Sequence, residues 1–274
     1  MRARSGGLVD AHLHLQMPAL REFASRIIEE TRNAGVEQLL VNATSPQDWK
    51  DVADLAELHS DVTPFFGIHP WRVNSMDHSG WEDQLRNFLT RFPESGVGEV
   101  GLDKWIRDHD IAKQRDFFLR QLTIAESLRR PVAVHCLRAW GHLWECLAQS
   151  EFSQPFLLHS FSGPKEMIGD FVDRGAFFSL SGYFFRPDKS VKLEAFQNIP
   201  DDRLLLETDA PDMLPPANLI ATTLPPKEDG SPVNHPANLR RIYEVYSEWS
   251  GRDLDEVISS LSDNAANFLR KRSQ

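Results

Sequence analysis

The chain has 274 residues, 41% of them apolar and 26% charged, with 40 acidic side chains against 30 basic ones for a formal charge of −10. That composition is ordinary for a globular protein and excludes intrinsic disorder, collagen-like repeats and a disulfide scaffold; Cys136 and Cys146 are the only cysteines. No window approaches the roughly 20 apolar residues that span a bilayer, and Asp10, His12 and His14 interrupt the apolar run behind the basic start, so neither a membrane segment nor a secretory leader is expected and a cytoplasmic location is.

Strand-like and helical patterns then alternate along the chain. A strand is expected at Leu8–Leu15, a helix at Ala19–Ala34, a strand at Glu37–Ala43 and a helix at Gln47–Leu58. The next pairs are Thr63–His69 with Trp81–Phe92, and Gly96–Leu102 with Gln114–Leu128, where Phe117, Phe118, Leu122, Ala125 and Leu128 form a stripe. Pro131–His135 is followed by Ala139–Ala148, Pro155–His159 by Lys165–Val172, and Ala176–Ser181 by Val191–Phe196. The eighth strand is Arg203–Glu207; helical patterns at Ala237–Trp249 and Leu254–Leu269 close the chain.

Eight strands alternating with helices imply parallel pairing through right-handed crossovers. A closed (β/α)8 barrel of the TIM type and an open doubly wound sheet both satisfy the pattern. The first strand–helix turns lack the glycine-rich dinucleotide fingerprint, which favours the barrel. Neither a repeat nor a linker is evident, so residues 1–274 read as one domain, with extra C-terminal helices. Pro211–Pro236 holds seven prolines and is too long and irregular for an ordinary connection, so a lid or wall over a site is expected there.

The chemistry is written at the strand ends. His12 and His14 are two apart on the first strand and so face one side, although a His-x-His pair alone is weak evidence. Glu99 interrupts an apolar fourth strand, where a carboxylate carries a steep desolvation cost unless something positive compensates it. His135 and His159 end the fifth and sixth strands, and Asp209 follows the eighth. Barrel enzymes build their sites at the C-terminal ends of strands, and four imidazoles with two carboxylates suit a pair of borderline divalent ions such as Zn²⁺. Metal charge would also let an acidic chain grip phosphate.

The stretches Asp10-Ala-His-Leu-His14, Gly67-Ile-His-Pro70, Gly98-Glu-Val-Gly-Leu-Asp103, Val134-His-Cys136, His159-Ser-Phe-Ser-Gly163, Glu207-Thr-Asp-Ala-Pro211 and Asn234-His-Pro-Ala-Asn238 occur in that order. Together they resemble the TatD family of metal-dependent hydrolases, within the amidohydrolase-like barrels. The resemblance implies that His12, His14 and Asp209 hold a first ion, and that Glu99 bridges to a second held by His135 and His159. It departs from the common family pattern at Arg138, which lies three residues after His135 rather than two, at Lys104-Trp105 in place of a tyrosine, and at Asp212.

The resemblance implies a deoxyribonuclease, its substrate single-stranded DNA and its polarity 3′ to 5′. Asp209 is the expected general base beside the nucleophilic water, and Glu99 the second catalytic carboxylate. The ions are Zn, Mn, Mg, Ni or Fe, and no obligate protein partner is evident. The alternative is an acyl hydrolase with the same dinuclear centre, acting on an amide, a lactone or a D-aminoacyl-tRNA ester. His69, Arg138, Lys104 and Arg72 are candidate substrate-binding residues, His69 either bonding phosphate or orienting a ligand. Trp105, Phe161, Tyr183 and Phe184 are candidates for stacking on bases. Cys136 reads as buried rather than nucleophilic, since it faces away from its neighbour His135. His59, His78, His109 and His142 read as surface residues, and His235 lies on the Pro-rich wall.

Overall fold

A computed structural model describes residues 6–76 and 79–270; the start of the chain and His78 lie outside them. The strands are β1 (Leu8–Leu13), β2 (Val36–Asn42), β3 (Val62–Phe66), β4 (Gly96–Asp103), β5 (Val132–Leu137), β6 (Phe156–Leu158), β7 (Ala176–Ser181) and β8 (Leu204–Glu207). They form one sheet in the order β1 to β8 with helices between successive strands, the (β/α)8 barrel expected from the alternation. Every residue of β1, β4, β7 and β8 is buried, as in parallel strands covered on both faces. Among the described residues no helix is long and apolar enough to cross a membrane.

The chain divides into two compact units, one combining the residues up to Leu40 with Ser179–Asn267, the other Val41–Phe178 with the residues from Phe268. The first unit contains β1, β8 and the helices α1 (Pro18–Arg21) and α2 (Ala24–Asn33). These two helices replace the single one expected over Ala19–Ala34, because Phe23 leaves helical geometry at φ −110° and ψ 6°.

In the first unit, the first and last strands are joined directly. The Asp209 N–H donates to His12 O at 2.9 Å, and the His14 N–H donates to Ala210 O at 2.8 Å. The Asp10 carboxyl, fully buried, accepts the Thr208 N–H at 2.9 Å and the Thr208 hydroxyl at 2.5 Å. Burial pushes this carboxyl up to about 8, against the pull of the Thr208 bonds, so Asp10 is protonated at neutral pH. Asp10→Ala is expected to cost about 2–3 kcal/mol by stranding the Thr208 donors, whereas the neutral Asp10→Asn should keep most of the stability. Because the folded value lies above the unfolded one, the Asp10 contribution falls as pH rises from about 4 to about 8. In chelated protein the melting advantage of the native chain over D10N should therefore shrink across that window.

The second unit contains α3 (Trp49–Leu58), α4 (Trp81–Arg91), α5 (Ile111–Leu128), α6 (Trp140–Gln149) and α7 (Ile168–Asp173). The pairing of β4 with β5 shifts register between Val97 and Val100, a bulge that re-aims Glu99. Two residues on, Gly101 lies opposite His135 at φ +144°, and a Cβ there would collide with the His135 carbonyl oxygen. Gln114 and Gln121, two turns apart on one face of α5, clamp two strand ends. Gln114 takes the Asp103 N–H at 2.8 Å and donates to Asp103 O at 3.0 Å; Gln121 takes the Ile68 N–H at 2.7 Å.

The first unit resumes with α8 (Ser190–Ala195), and after β8 come α9 (Leu239–Ser250) and α10 (Leu254–Leu269). The buried Tyr243 of α9 donates its hydroxyl to Val9 O at 3.1 Å. The Pro-rich excursion after β8 is irregular as expected, and its ends are tied together by the Asn234 N–H on Pro211 O at 2.9 Å. Asn238 Oδ1 accepts the N–H groups of Ala221 and Thr222, both at 2.9 Å, fixing the middle of the excursion.

Candidate metal centre

In the first unit, His12 and His14 meet Asp209. The two Nε2 atoms are 3.3 Å apart, and they lie 3.8 Å and 3.6 Å from Asp209 Oδ1. All three side chains are shielded, His12 completely and Asp209 to 13% exposure. Although β1 stops at Leu13, the His14 backbone bond to Ala210 carries the extended path one residue further and aims His14 with His12. Asp209 adopts a left-handed backbone, φ +52°, which Asp tolerates better than most side chains.

In the second unit, Glu99 is 2% exposed and surrounded by imidazoles. Its Oε1 lies 3.2 Å from His69 Nε2, 3.0 Å from His135 Nδ1 and 2.8 Å from His159 Nε2. His135 Nδ1 and His159 Nε2 are themselves 3.2 Å apart. His69, expected only as a substrate or orienting residue, thus sits in contact with the Glu99 carboxylate.

The outer bonds assign the protons. His69 Nδ1 accepts the Trp71 N–H at 3.1 Å, so a neutral His69 carries its proton on Nε2 and donates towards Glu99. His135 is the reverse: Nε2 donates to Asp103 Oδ2 at 2.8 Å, leaving the Nδ1 lone pair for a cation. A carboxylate behind a ligand imidazole is a recurrent way to fix its tautomer and raise its basicity.

The donors fit a divalent ion. Zn–N bonds of 2.0–2.1 Å in a tetrahedron place neighbouring ligand atoms about 3.3 Å apart, close to the His12–His14 and His135–His159 spacings. The buried Glu99 also needs a compensating charge. The chain therefore carries buried His/Glu/Asp groups suited to metal, in His12–His14–Asp209 and in His69–Glu99–His135.

Without metal, burial lowers the basicity of His135, but its bonds with Asp103 and Glu99 prevail and raise it above the ordinary imidazole range. An entering ion must displace that proton, so affinity should rise with pH until His135 is neutral, by up to about tenfold per unit. Competition titrations with a chromophoric chelator at several pH values test this. Asp103→Asn should weaken binding about 10–100-fold at fixed pH and flatten the slope.

Arg72, Lys104 and Arg138 are exposed just beyond β3, β4 and β5, and their head groups make no ion pair among the described residues. Arg138 has a left-handed backbone, φ +57°. Trp105 is 54% exposed, but Phe161 and Phe184 are only 1% and 3% exposed; both are packing residues, which removes them as base-stacking candidates. Tyr183 is half-buried. Cys136 is buried, and burial pushes its thiol up, away from the reactive thiolate. His59, His109 and His142 are half-buried rather than surface residues. His235 is fully buried in the first unit, pairing with Glu30 at 2.9 Å.

Asp103 and Trp71 carry parts that sequence reasoning missed. Asp103 Oδ1 accepts the N–H groups of Trp105 and Ile106, at 2.6 Å and 3.2 Å, while Oδ2 accepts the Trp71 indole at 2.7 Å as well as His135. Burial opposes its charge, yet the bonds from His135, Trp71 and Trp105 outweigh it and hold the carboxyl at about 2.

A barrel whose strand ends carry buried imidazole–carboxylate sets defines a metallohydrolase class. Residues 9–270 match the family described as TatD related DNase, and the chain belongs to that family. It is 29% identical over 258 residues to the "uncharacterized metal-dependent hydrolase YjjV" of Escherichia coli K12, covering 93% of this chain and 95% of that protein. It is also 29% identical over 270 residues to the "3'-5' ssDNA/RNA exonuclease TatD" of Dickeya dadantii, with 96% and 98% coverage. The crystal structure of the E. coli YjjV protein superposes with a TM-score of 0.85 at 27% identity, covering 95% of this chain and 97% of that one.

Proposed function

We propose that the chain is a two-metal nuclease that hydrolyses phosphodiester bonds of single-stranded DNA from the 3′ end. Three features support this reading: the two imidazole–carboxylate sets, membership of the TatD related DNase family, and relatives named as nucleases. The observation that carries it is Glu99, a buried carboxylate with three imidazole nitrogens within 3.2 Å of one oxygen.

On this reading His12, His14 and Asp209 hold one ion, and Glu99, His135 and His159 hold the other. Divalent ions, when bound, supply acidification of water and positive charge for the phosphoryl oxygens. Asp209 takes the proton of the attacking water at a carboxylate oxygen as the new O–P bond forms and the bond to the 3′ oxygen breaks, and that proton passes to the leaving oxygen to give a 3′ hydroxyl on the shortened strand. His69 offers its Nε2–H to Glu99 or to a phosphoryl oxygen. Arg138, Lys104 and Arg72 bind flanking phosphates. Two ions bring +4 against −2 from Glu99 and Asp209, and that surplus draws an anion to an acidic chain.

The test is a 5′-labelled single-stranded oligonucleotide, with and without chelator, beside a panel of amides, lactones and aminoacyl esters. A chelator-sensitive ladder shortening from the 3′ end is the expected result. Turnover of acyl substrates alone would overturn the nuclease.

A further inference from the structure

Among the described residues four large apolar side chains are exposed: Leu58, Trp71, Trp105 and Val191. The two tryptophans, 50% and 54% exposed, touch one another, with ring centroids 6.2 Å apart and planes inclined by 30°. They stand beside the Glu99 cluster. The Trp71 ring lies 5.1 Å from that of His69 and 6.3 Å from that of His135, edge-on to both.

A single carboxylate anchors the pair. Asp103 accepts the Trp71 indole N–H through Oδ2 and the Trp105 backbone N–H through Oδ1, while also bonding His135. Asp103 thus ties the Trp71 ring and the Trp105 backbone to His135, and both rings stay exposed although packing alone would have buried them. Each tryptophan also has an exposed cation as its chain neighbour, Arg72 after Trp71 and Lys104 before Trp105, whose head group makes no ion pair among the described residues. An aromatic face next to an exposed cation matches a nucleotide, whose base stacks while its phosphate is neutralised.

We propose that Trp71 and Trp105 form a platform on which an unpaired nucleobase of the substrate strand stacks, held in register with His135 by Asp103. The proposal rests on the nuclease reading and gives it a physical source for single-strand preference, because a base within a duplex has both faces already covered. It contacts any base by its π-face and so adds little sequence preference.

The test compares an oligothymidylate with the same strand carrying abasic residues at its last two 3′ positions, in metal-loaded enzyme. Stacking contributes about 5- to 150-fold per base, so the native chain should favour the base-bearing strand in kcat/KM by a factor of that order. Trp105→Ala and Trp71→Ala should collapse the ratio towards one, chiefly through KM, while Trp105→Phe retains most of it. The melting temperature and metal content of W105A should match those of the native chain, which shows an intact reaction centre. In chelated protein, oligothymidylate should quench indole emission saturably, and the W71F/W105F double variant should lose that response.

An unaltered base-to-abasic ratio in both alanine variants overturns the platform while leaving the nuclease intact. If the native chain cleaves neither strand, the nuclease reading fails, and the quenching alone decides the platform. Quenching by oligothymidylate but not by an all-abasic strand upholds it; equal or absent quenching overturns it.

Discussion

Asp209→Asn is expected to lower kcat by about 10²–10⁴-fold, the usual contribution of a positioned base, while the protein still folds. The carboxylate stands 3.6–3.8 Å from both imidazoles of its set. An amide there keeps an oxygen for the ion but cannot take a proton from water. The fold should be spared because the strand-joining bond from Asp209 to His12 O uses the backbone N–H. Asn also tolerates the left-handed φ of +52°. Steady-state rates at saturating metal, beside a melting curve, check the outcome; native-like turnover would remove Asp209 from the role of base.

Glu99→Gln should cost about 10³-fold or more in turnover, for a different reason. Its carboxylate is the one anionic donor among three imidazoles, and the neutral amide provides no charge to hold an ion. The revealing measurement is thermal. In chelated protein the Glu99 carboxylate is paired with the protonated His135 and the His69 Nε2–H, so E99Q should melt somewhat lower than the native chain. When metal is added, the native chain should gain stability by mass action, and E99Q should gain markedly less. An equal gain in both would show that Glu99 holds no ion.

The alternation of elements was readable in the sequence because the strands are buried on both faces, which leaves continuous apolar runs such as Pro155–Leu158 ending in a polar residue. For the same reason Glu99, His135, His159 and Asp209 stood out: each interrupts or ends such a run. The bounds were less legible. His14, His69 and His159 all fall just past the hydrogen-bonded strands, since reaching a site at the strand ends means leaving the ladder.

The outer bonds could not be read at all. Asp103 looks like a turn residue, and its Oδ1 does cap the Trp105 turn, but nothing in the sequence shows Oδ2 reaching Trp71 and His135 across 32 residues. His69 declares its tautomer only through the backbone N–H of Trp71. Aromatic residues on loops divided by burial, which composition cannot foresee: Phe161 and Phe184 went into the core, while Trp71 and Trp105 stayed out. The phrase Pro70-Trp-Arg72, an indole followed by a cation in a turn, was the signal available for Trp71.

The most direct measurement is metal stoichiometry paired with cleavage. Protein stripped of metal and reloaded with Zn²⁺ or Mn²⁺ should hold two ions per chain, and E99Q and the H12A/H14A double variant one each, with single-stranded DNA cleavage lost in both. A native chain that holds fewer than two ions at full activity, or that cleaves DNA in excess chelator, would contradict the two-metal nuclease.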